Sequence, residues 1–434
     1  MTVWIGHTTL YRQGGAGFRR AARTLQRTLQ ARAPGETILV EAVESKAEFV
    51  AAMARIAASG RPLRALHFIG HSGMYGPMFR TTSVPEQFSP HEWRTLKLPF
   101  APDGEAFFHC CRSARWFAPF FARTFGVPAS GHHLYTTFSA RPDRFVWDPP
   151  FAGPDAPLSV VALPGRTSHG LGASVLKYAG LLPVAPMLRF EPESPSPDTS
   201  YDPVAALYDD AFADIAVREP EVAWIEAHLP RDRPRMLEIG AGNGALLARI
   251  APSIASGLGV DASAGMVERA RARFGHVPNL RFASVDGPFL PCEDASIDVV
   301  VSMLSWRYLD WDPIMAEIRR VLSPGGRLLV VDMVAGKPRL RDAPRLAAGA
   351  LERARRTLRP CRFEDRLARL VRDPGWATML AYNPIRAEHE LRWYFEGRFP
   401  GRRVETLTAG ATSRVVAFDS GPLPRGFSLP QSYP

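Results

Sequence analysis

The chain has few cysteines and no long apolar run. Four cysteines in 434 residues, two of them adjacent at 110 and 111, do not suggest a disulfide framework, so we expect a reducing compartment. No run of about 20 apolar residues is present, and the first fifteen residues lack the basic start and apolar stretch of a signal peptide. We therefore expect a cytoplasmic protein with no membrane association.

Two further absences limit the expected ligands. Aromatic residues do not interleave the basic segments as they do on surfaces that bind single-stranded nucleic acid, so no nucleic-acid partner is expected. No second cluster of metal-ligand residues accompanies His132 and His133, which we interpret as loop residues with no metal site. The sequence leaves the oligomeric state undetermined.

The composition is that of a globular protein, since 46% of the residues are hydrophobic and 22% are charged. The length suggests two or three domains. A proline-rich, polar segment at 188–203 separates two patterned regions and is predicted to be a linker. We therefore predict domains at 1–187 and 204–420, followed by a tail at 421–434.

Strands alternate with helices on both sides of this linker. In the first region, helices at 18–32 and 46–59 separate the predicted strands TVWIGHTTL, ETILVEAV and LRALHFIG, with EAFFHCC as the next strand. The second region repeats the alternation, ends in the strand pair RRVETLT and SRVVAFD, and carries a helical insertion at 337–400. This pattern predicts two α/β domains, each with a parallel sheet.

A glycine-rich turn, GAGNG, follows one predicted strand of the second domain. Gly240, Gly242 and Gly244 allow the backbone to turn sharply beside a ligand, and the following helix offers free N–H groups. The turn also satisfies the G-x-G-x-x-A pattern of nicotinamide-cofactor sites, and a simple tight turn is a further alternative. Glu238, just before the glycines, suits an ammonium group better than a pyrophosphate, which argues against a dehydrogenase.

Residues 201–420 resemble the class I S-adenosylmethionine-dependent methyltransferases. Five ordered motifs carry the resemblance: LEIGAGNG, GLGVD, SVDG, IDVVVSMLSWRYL and LSPGGRLLVVD. It implies a Rossmann-like fold of seven strands with S-adenosylmethionine as cofactor, Asp261 on the ribose hydroxyls and Asp286 facing the adenine. The cofactor-binding residues that it implies are Glu238, Gly240, Gly242, Gly244, Asp261, Asp286 and Met303.

Methyl transfer needs alignment of donor and acceptor, and a general base only if the acceptor must lose a proton. His389 is the candidate for such a base, with Glu388, Glu390 and Tyr382 nearby in the sequence. Trp306 and Tyr308, after the fourth strand of the domain, are candidates for the acceptor pocket, although Trp306 equally fits the core.

The helical insertion is the most basic part of the chain. Residues 334–403 hold 17 Lys/Arg against 8 Asp/Glu, and Arg355 and Arg356 are central to this excess. A solvated helix face accounts for many such arginines. The sharper interpretation is an acidic acceptor, either a small carboxylate or an acyl group on an acidic carrier protein.

The segment HFIGHSGMYG at 67–76 in the first domain has three interpretations. As a serine nucleophile turn it lacks the final glycine of G-x-S-x-G, because Met74 stands there. As a histidine site it places His71 after one strand and Cys111 after the next, where an imidazole can take a proton from a thiol. As a bend it has no chemistry.

Residues 1–145 resemble the caspase-like cysteine peptidases, although more weakly. The resemblance implies an α/β sandwich with Cys111 as nucleophile and His71 as base, separated by 40 residues. Ser72 stands where the family has glycine, and Cys110 is an alternative thiol. We therefore predict a methyltransferase with an N-terminal caspase-like module. The alternatives are a thiol hydrolase with an S-adenosylmethionine-sensing domain, and a binding protein whose sites are silent.

Overall fold

The chain divides into two compact units, Met1–Ser196 and Pro197–Pro430. The computed structural model describes residues 1–10, 14–80, 84–132, 135–138, 160–163, 187–193, 201–336, 343–344, 347, 362–382, 385–410, 413–424 and 426–427. No helix in this described part of the chain is long and apolar enough to cross a bilayer.

The first unit alternates strands and helices. Its strands are β1 (Thr2–His7), β2 (Thr37–Ala42), β3 (Leu63–Ile69), β4 (Ser72–Gly73), β5 (Gly76–Pro77), β6 (Phe79–Arg80), β7 (Pro85–Glu86), β8 (Phe100–His109), β9 (Ala129–His132), β10 (Tyr135–Phe138), β11 (Val160–Leu163) and β12 (Met187–Phe190). Its helices are α1 (Gly15–Arg32), α2 (Lys46–Ala58), α3 (Pro90–Thr95) and α4 (Phe117–Phe125).

Six of these strands form one sheet in the order β12-β9-β8-β3-β1-β2, parallel except for β12. Because successive side chains of a strand point to opposite faces, the apolar residues divide between two layers. One face packs on α1 and carries Val3, Ile5, Ala65, Ile69 and Phe107. The other packs on residues of α2, α3 and α4 and carries Trp4, Leu66, Phe68, Ala106 and Phe108.

The second unit begins with short helical segments. A 3₁₀ turn at Asp202–Val204 leads into α5 (Ala205–Ala211), and a second at Ile215–Arg218 leads into α6 (Glu219–His228). The later helices are α7 (Ala245–Ile250), α8 (Ala264–Phe274), α9 (Trp311–Val321), α10 (Arg362–Arg372), α11 (Pro374–Tyr382) and α12 (Glu388–Arg398). The strands are β13 (Arg235–Ile239), β14 (Ser256–Asp261), β15 (Leu280–Ser284), β16 (Ile297–Met303), β17 (Leu322–Ala335), β18 (Glu405–Ala409) and β19 (Ser413–Asp419).

These seven strands form a sheet in the order β15-β14-β13-β16-β17-β19-β18. Strands β13 to β17 are parallel, and β19 runs antiparallel to both β17 and β18. The chain order reverses at β13, which pairs with β14 on one side and β16 on the other. Ligands of open α/β sheets bind at the carboxyl ends of strands beside such a reversal.

The structure corrects several predicted boundaries. Strand β8 ends at His109, so Cys110 and Cys111 follow the strand and do not belong to it. The predicted linker starts inside β12, which takes residues 188–190 into the first sheet. The predicted helix at 204–229 is interrupted because Asp214 caps a new turn by accepting from the Ala216 N–H, and Pro220 lacks the N–H needed to continue.

Candidate functional site

The glycine-rich turn follows β13 at the point where the chain order reverses. Gly240, Gly242 and Gly244 have φ values of 74°, 53° and 77°, a region that side chains disfavour. A Cβ at Gly240 would lie 2.2 Å from the Ser305 Cβ. The turn therefore requires glycine both for its backbone conformation and for the close approach of the segment after β16.

Glu238 lies one residue before the end of β13 and is only 2% exposed. Burial raises its pKa well above the ordinary value, and the negative charge of Asp261 acts in the same direction. Its Oε2 has no hydrogen-bond partner in the described part of the chain. A buried carboxylate oxygen without a partner is costly, so this position fits a ligand that brings a cation or a hydrogen-bond donor.

Asp261 ends the neighbouring strand β14. Its Oδ2 accepts from the Gly242 N–H at 2.8 Å, and its Oδ1 accepts from the Ser263 N–H at 2.9 Å. Burial raises the pKa of this carboxyl, while the two backbone bonds oppose the rise. The carboxylate is thus fixed against the glycine turn, with lone pairs left over for a pair of vicinal hydroxyls.

The other two predicted cofactor residues are less enclosed. Asp286 is exposed in the loop after β15, and Met303 is half-buried at the end of β16. The following residue, Leu304, adopts a positive φ of 59° while its N–H donates to the Val331 carbonyl at 2.7 Å. The roles of Asp286 and Met303 stay predictions.

Sequence reasoning missed the serines that hold the two strand ends together. The Ser305 hydroxyl donates to the Ile239 carbonyl at 2.6 Å and lies 2.7 Å from the Ser302 hydroxyl. These contacts place the end of β16 directly against the glycine turn. The only hint in the sequence was that Ser305, a small polar residue, follows the strand IDVVVSM by two positions.

The start of the second unit packs over the glycine turn and was also missed. The Asn243 amide donates to Asp209 at 2.9 Å, and the Ser263 hydroxyl donates to Asp202. Tyr208, which lies in the same segment, is half-buried; its partial removal from water raises its pKa, and the charge of Asp261 acts in the same direction. This segment therefore packs against the glycine turn and the start of α8.

The two aromatic candidates after β16 have different roles. Trp306 is fully buried in the main core of the unit, so the core alternative applies to it. The Tyr308 hydroxyl lies 3.1 Å from the Tyr201 hydroxyl, and the Tyr201 ring contacts Tyr208 and Trp376. Tyr201, Tyr208, Tyr308 and Trp376 thus form one aromatic cluster.

Arg307, between Trp306 and Tyr308 in the sequence, forms an ion pair with the buried Asp332. Its Nη1 donates to Asp332 at 2.5 Å, and its backbone N–H donates to the same carboxylate at 2.7 Å. Burial raises the pKa of Asp332, although the charge of Arg307 opposes this rise. The Arg307 Nε has no hydrogen-bond partner within the described ranges. The arrangement leaves one buried cationic N–H group for an acceptor.

The predicted general-base candidates are drawn into other contacts. Glu388 pairs with both Arg392 and Arg414, and a Glu390 oxygen lies 3.5 Å from Arg386. The His389 ring packs edge-on against Trp393, with 5.3 Å between ring centroids. The side chain of Tyr382 lies outside the described residues. The catalytic role of His389 stays a prediction.

The basic insertion is only partly described, and Arg355 and Arg356 lie outside the described residues. In α10, Arg366 and Arg369 both pair with Asp210, at 3.2 and 3.0 Å. These two arginines therefore link α10 of the insertion to α5. Both arginines are thus engaged with Asp210 in this structure.

In the first unit, His71 and Cys111 follow neighbouring strands, because Ile69 of β3 pairs with His109 of β8. The Ser72 hydroxyl donates to the Cys111 carbonyl, which joins the two loops. The Cys111 Sγ accepts from the Thr136 N–H at 3.2 Å, and the His71 ring packs edge-on against Phe18. The sheet thus brings together the two segments that carry the predicted dyad.

Cys110 differs sharply from its neighbour. It is fully buried, and burial raises its pKa to about 12. Cys111 is half-buried. Cys111 is therefore the more accessible of the two adjacent thiols. Accessibility matters because the reactive form of a cysteine, the thiolate, is disfavoured by burial.

His132 corrects the sequence interpretation, because it belongs to β9 and is fully buried instead of lying in a loop. It lies in the sheet with His67 and His109, whose rings are stacked and whose Nδ1 and Nε2 atoms are 3.0 Å apart. Burial lowers the pKa of all three histidines. Among the described residues no group of histidine, cysteine or acidic side chains could hold a metal ion.

Comparison with known families finds a match for one part of the chain. Residues 237–330 match the family model described as a methyltransferase domain. The chain is similar to a demethylmenaquinone methyltransferase of Clavibacter sepedonicus, at 31% identity over 30% of this chain and 56% of that protein. It is also similar to the biotin biosynthesis bifunctional protein BioHC of Cellvibrio japonicus, at 32% identity over 32% and 27%. The chain therefore spans about half or less of these relatives.

Solved structures also align with it. A SAM-dependent methyltransferase from Aquifex aeolicus aligns with 46% of this chain and 88% of its own, at 16% identity and a TM-score of 0.31. The methyltransferase in a complex with the Haloferax volcanii activator Trm112 covers 52% and 100%, at 19% identity and a TM-score of 0.34. The match at 237–330 places a methyltransferase domain within the second unit.

Proposed function

We propose that this protein transfers a methyl group from S-adenosylmethionine to an acidic acceptor at the carboxyl edge of the second sheet. The observation that carries the proposal is the orphaned Glu238 carboxylate oxygen beside the three-glycine turn. Glu238 would accept from the ammonium of the cofactor, and Asp261, fixed by the Gly242 N–H, would accept from the ribose hydroxyls. Asp286 and Met303 would border the adenine.

The sulfonium of the cofactor supplies an activated methyl group, so the protein's own task is alignment and exclusion of water. Asp202, Tyr208 and Asp209, which pack over the turn, support this enclosure. Burial also raises the pKa of Tyr201 well above its usual range. Tyr201 therefore stays protonated and can donate a hydrogen bond, as a neutral group beside a reacting oxygen or nitrogen should.

An acidic acceptor fits the unpaired Nε of Arg307 better than it fits the described insertion arginines. Arg307 is buried beside Tyr201 and Tyr308, whereas Arg366 and Arg369 are occupied by Asp210. A charge-assisted bond from a buried guanidinium to a carboxylate is strong because little water competes. Arg355 and Arg356 keep their predicted role in recognising the acceptor.

Calorimetry with S-adenosylhomocysteine tests the cofactor site without turnover. Asp261→Asn and Glu238→Gln should each weaken binding by about 1.5–3 kcal/mol, the value of a hydrogen bond to a charged group. Asp298→Asn removes an acid that pairs with Arg235 on the surface of the same unit and should leave binding unchanged. Equal affinity of all three variants and the parent chain would refute the assignment.

The acceptor is tested in a lysate with a labelled methyl donor, followed by mass spectrometry. Labelling of a carboxylate metabolite or of an acidic carrier protein supports the proposal. Arg355→Glu/Arg356→Glu should raise the apparent Michaelis constant for that acceptor while donor binding stays the same. Tight S-adenosylhomocysteine binding with no labelled product would instead indicate a sensing domain.

Thiol chemistry in the first unit is a second candidate, favoured by the Thr136 N–H that points at the Cys111 sulfur. A backbone donor stabilises a thiolate, which a caspase-like hydrolase would use as its nucleophile with His71 as base. Iodoacetamide should modify Cys111 at neutral pH much faster than Cys110, and His71→Ala should slow the reaction at Cys111. Equally slow labelling of both thiols would mean that the module is structural.

A further inference from the structure

The outward face of α1 carries an arginine row, formed by Arg19, Arg20, Arg23 and Arg27, all of them exposed. Arg19, Arg23 and Arg27 recur every four residues, so the row extends along one side of the helix for roughly 12 Å. The opposite face is fixed against the sheet by buried residues, which are Phe18, Ala21, Ala22 and Leu25. The helix therefore cannot turn the row inward.

No side chain of the arginine row forms an ion pair with any described residue, and the sequence of α1 contains no acid. Like charges four residues apart destabilise a helix. Arginines on the helices of the second unit are commonly matched, as Arg273 is by Asp209 and Arg320 by Glu317. Arginines without ion-pair partners repel one another and weaken their own helix, and a bound anion would relieve this repulsion. The row therefore has the charge arrangement of an anion-binding surface.

The arginine row also borders a pocket that is open to solvent. Its four arginines, with Ala16 and Gln26, line a cavity of about 530 Å³. Small-molecule sites typically have volumes of about 300–1,000 Å³. His7 lies within electrostatic reach of Arg19 and Arg23, is only 4% exposed, and has an Nδ1 without a hydrogen-bond partner in the described chain. His7 is therefore near two arginines of the row, but it is not among the described residues that line the cavity.

We propose that the arginine row of α1 binds a small polyanion that carries two or more phosphate or carboxylate groups. Each guanidinium can bind such a group through two parallel hydrogen bonds, and a ligand with separated charges can engage arginines on successive turns. None of the described residues that line the cavity is aromatic, so none of them offers a ring on which bases could stack, which disfavours single-stranded nucleic acid. This site is independent of methyl transfer.

Calorimetry on the full chain tests the site, with inorganic tripolyphosphate and citrate as probes. Arg19→Gln/Arg23→Gln should weaken probe binding by at least about tenfold, as expected for the loss of charge-assisted bonds. The matched control is Arg61→Gln/Arg64→Gln, which removes the same charge from the same unit at residues that contact Thr37 and Asp103. The control should bind as the parent chain does.

The probes also separate the two ligand chemistries, because tighter binding of tripolyphosphate indicates phosphates and tighter binding of citrate indicates carboxylates. Equal weakening by both double variants would show that only net charge matters and would overturn the proposal. A 20-nucleotide single-stranded RNA that binds about 100-fold more tightly than either probe, with the same sensitivity to Arg19 and Arg23, would overturn it in favour of nucleic acid. Thermal melts of each variant check that the fold is retained.

Discussion

The two units bury different kinds of polar side chain. The second unit buries charges as pairs, such as Arg307 with Asp332, Arg398 with Asp312 and Arg414 with Glu388. The first unit buries histidines that burial keeps neutral, His67, His109 and His132, with Lys46 and Glu92 as its buried pair. Its cationic α1 face stays in water.

The two kinds of buried group have different structural roles. A paired charge fixes the position of a loop, as Asp332 does for the segment after β16 by accepting from Arg307. A neutral imidazole fills a layer and stacks like an aromatic ring, as His67 does on Phe107 with centroids 4.6 Å apart. The two units should therefore respond differently to the loss of a charge and to acid.

The largest effect is expected from Asp332→Ala. The change leaves Arg307 buried without its counter-charge, which typically costs about 3–5 kcal/mol. Denaturant unfolding monitored by hydrogen exchange in peptides from β16 and β17 measures the loss. Asp298→Ala is the matched control, because its pair with Arg235 is on the surface and should contribute about 1 kcal/mol or less. Equal losses would contradict the inference that the second unit depends on its buried charge pairs.

Acid should weaken the first unit before the second. Burial lowers the pKa of His67 to about 3 and that of His132 to about 4. As the pH falls from about 6.5 toward 4, these histidines become protonated in the unfolded chain but stay neutral in the folded chain. Stability then drops by about 1.4 kcal/mol per pH unit for each histidine. The contribution is fully present above about pH 6.5.

Glu238 and Asp261 in the second unit act in the opposite direction. Burial raises the pKa of both carboxyls, so the folded state binds protons more tightly than the unfolded chain, and their contribution to stability grows as the pH falls. Opening free energies from hydrogen exchange at pH 7 and pH 5 should fall for β3 and β8 peptides more than for β13 and β16 peptides. An equal fall in both sets would break the comparison.

The smallest effect is expected from His67→Phe. The new ring keeps the stack on Phe107, and the main loss is the 3.0 Å contact with His109, which is worth about 1 kcal/mol. Because the variant also removes one titrating group, its deficit relative to the parent chain should shrink at pH 5. Chemical denaturation at pH 7 and pH 5 measures both values. A deficit that grows in acid would show that His67 is not buried as a neutral group.

Local patterns made much of the second unit predictable. The glycine turn has positive φ values that glycine favours, and the strand and helix periods around it depend on neighbours in sequence. The domain match at 237–330 confirms the methyltransferase prediction made from those motifs. Strand ends and helix breaks were less predictable, as the end of β8 at His109 and the interruption of the helix at 204–229 show.

The sequence by itself determined the α/β alternation, the glycine turn and the acids Glu238 and Asp261 beside it, because each depends on short-range spacing. Only the tertiary structure decided which groups meet across long separations. Tyr201 and Tyr308 are 107 positions apart, and their hydroxyls come within 3.1 Å through the packing of the first helical segment on the sheet edge. Burial likewise decided that Trp306 is core and that His132 is neutral, since exposure depends on every layer around a residue.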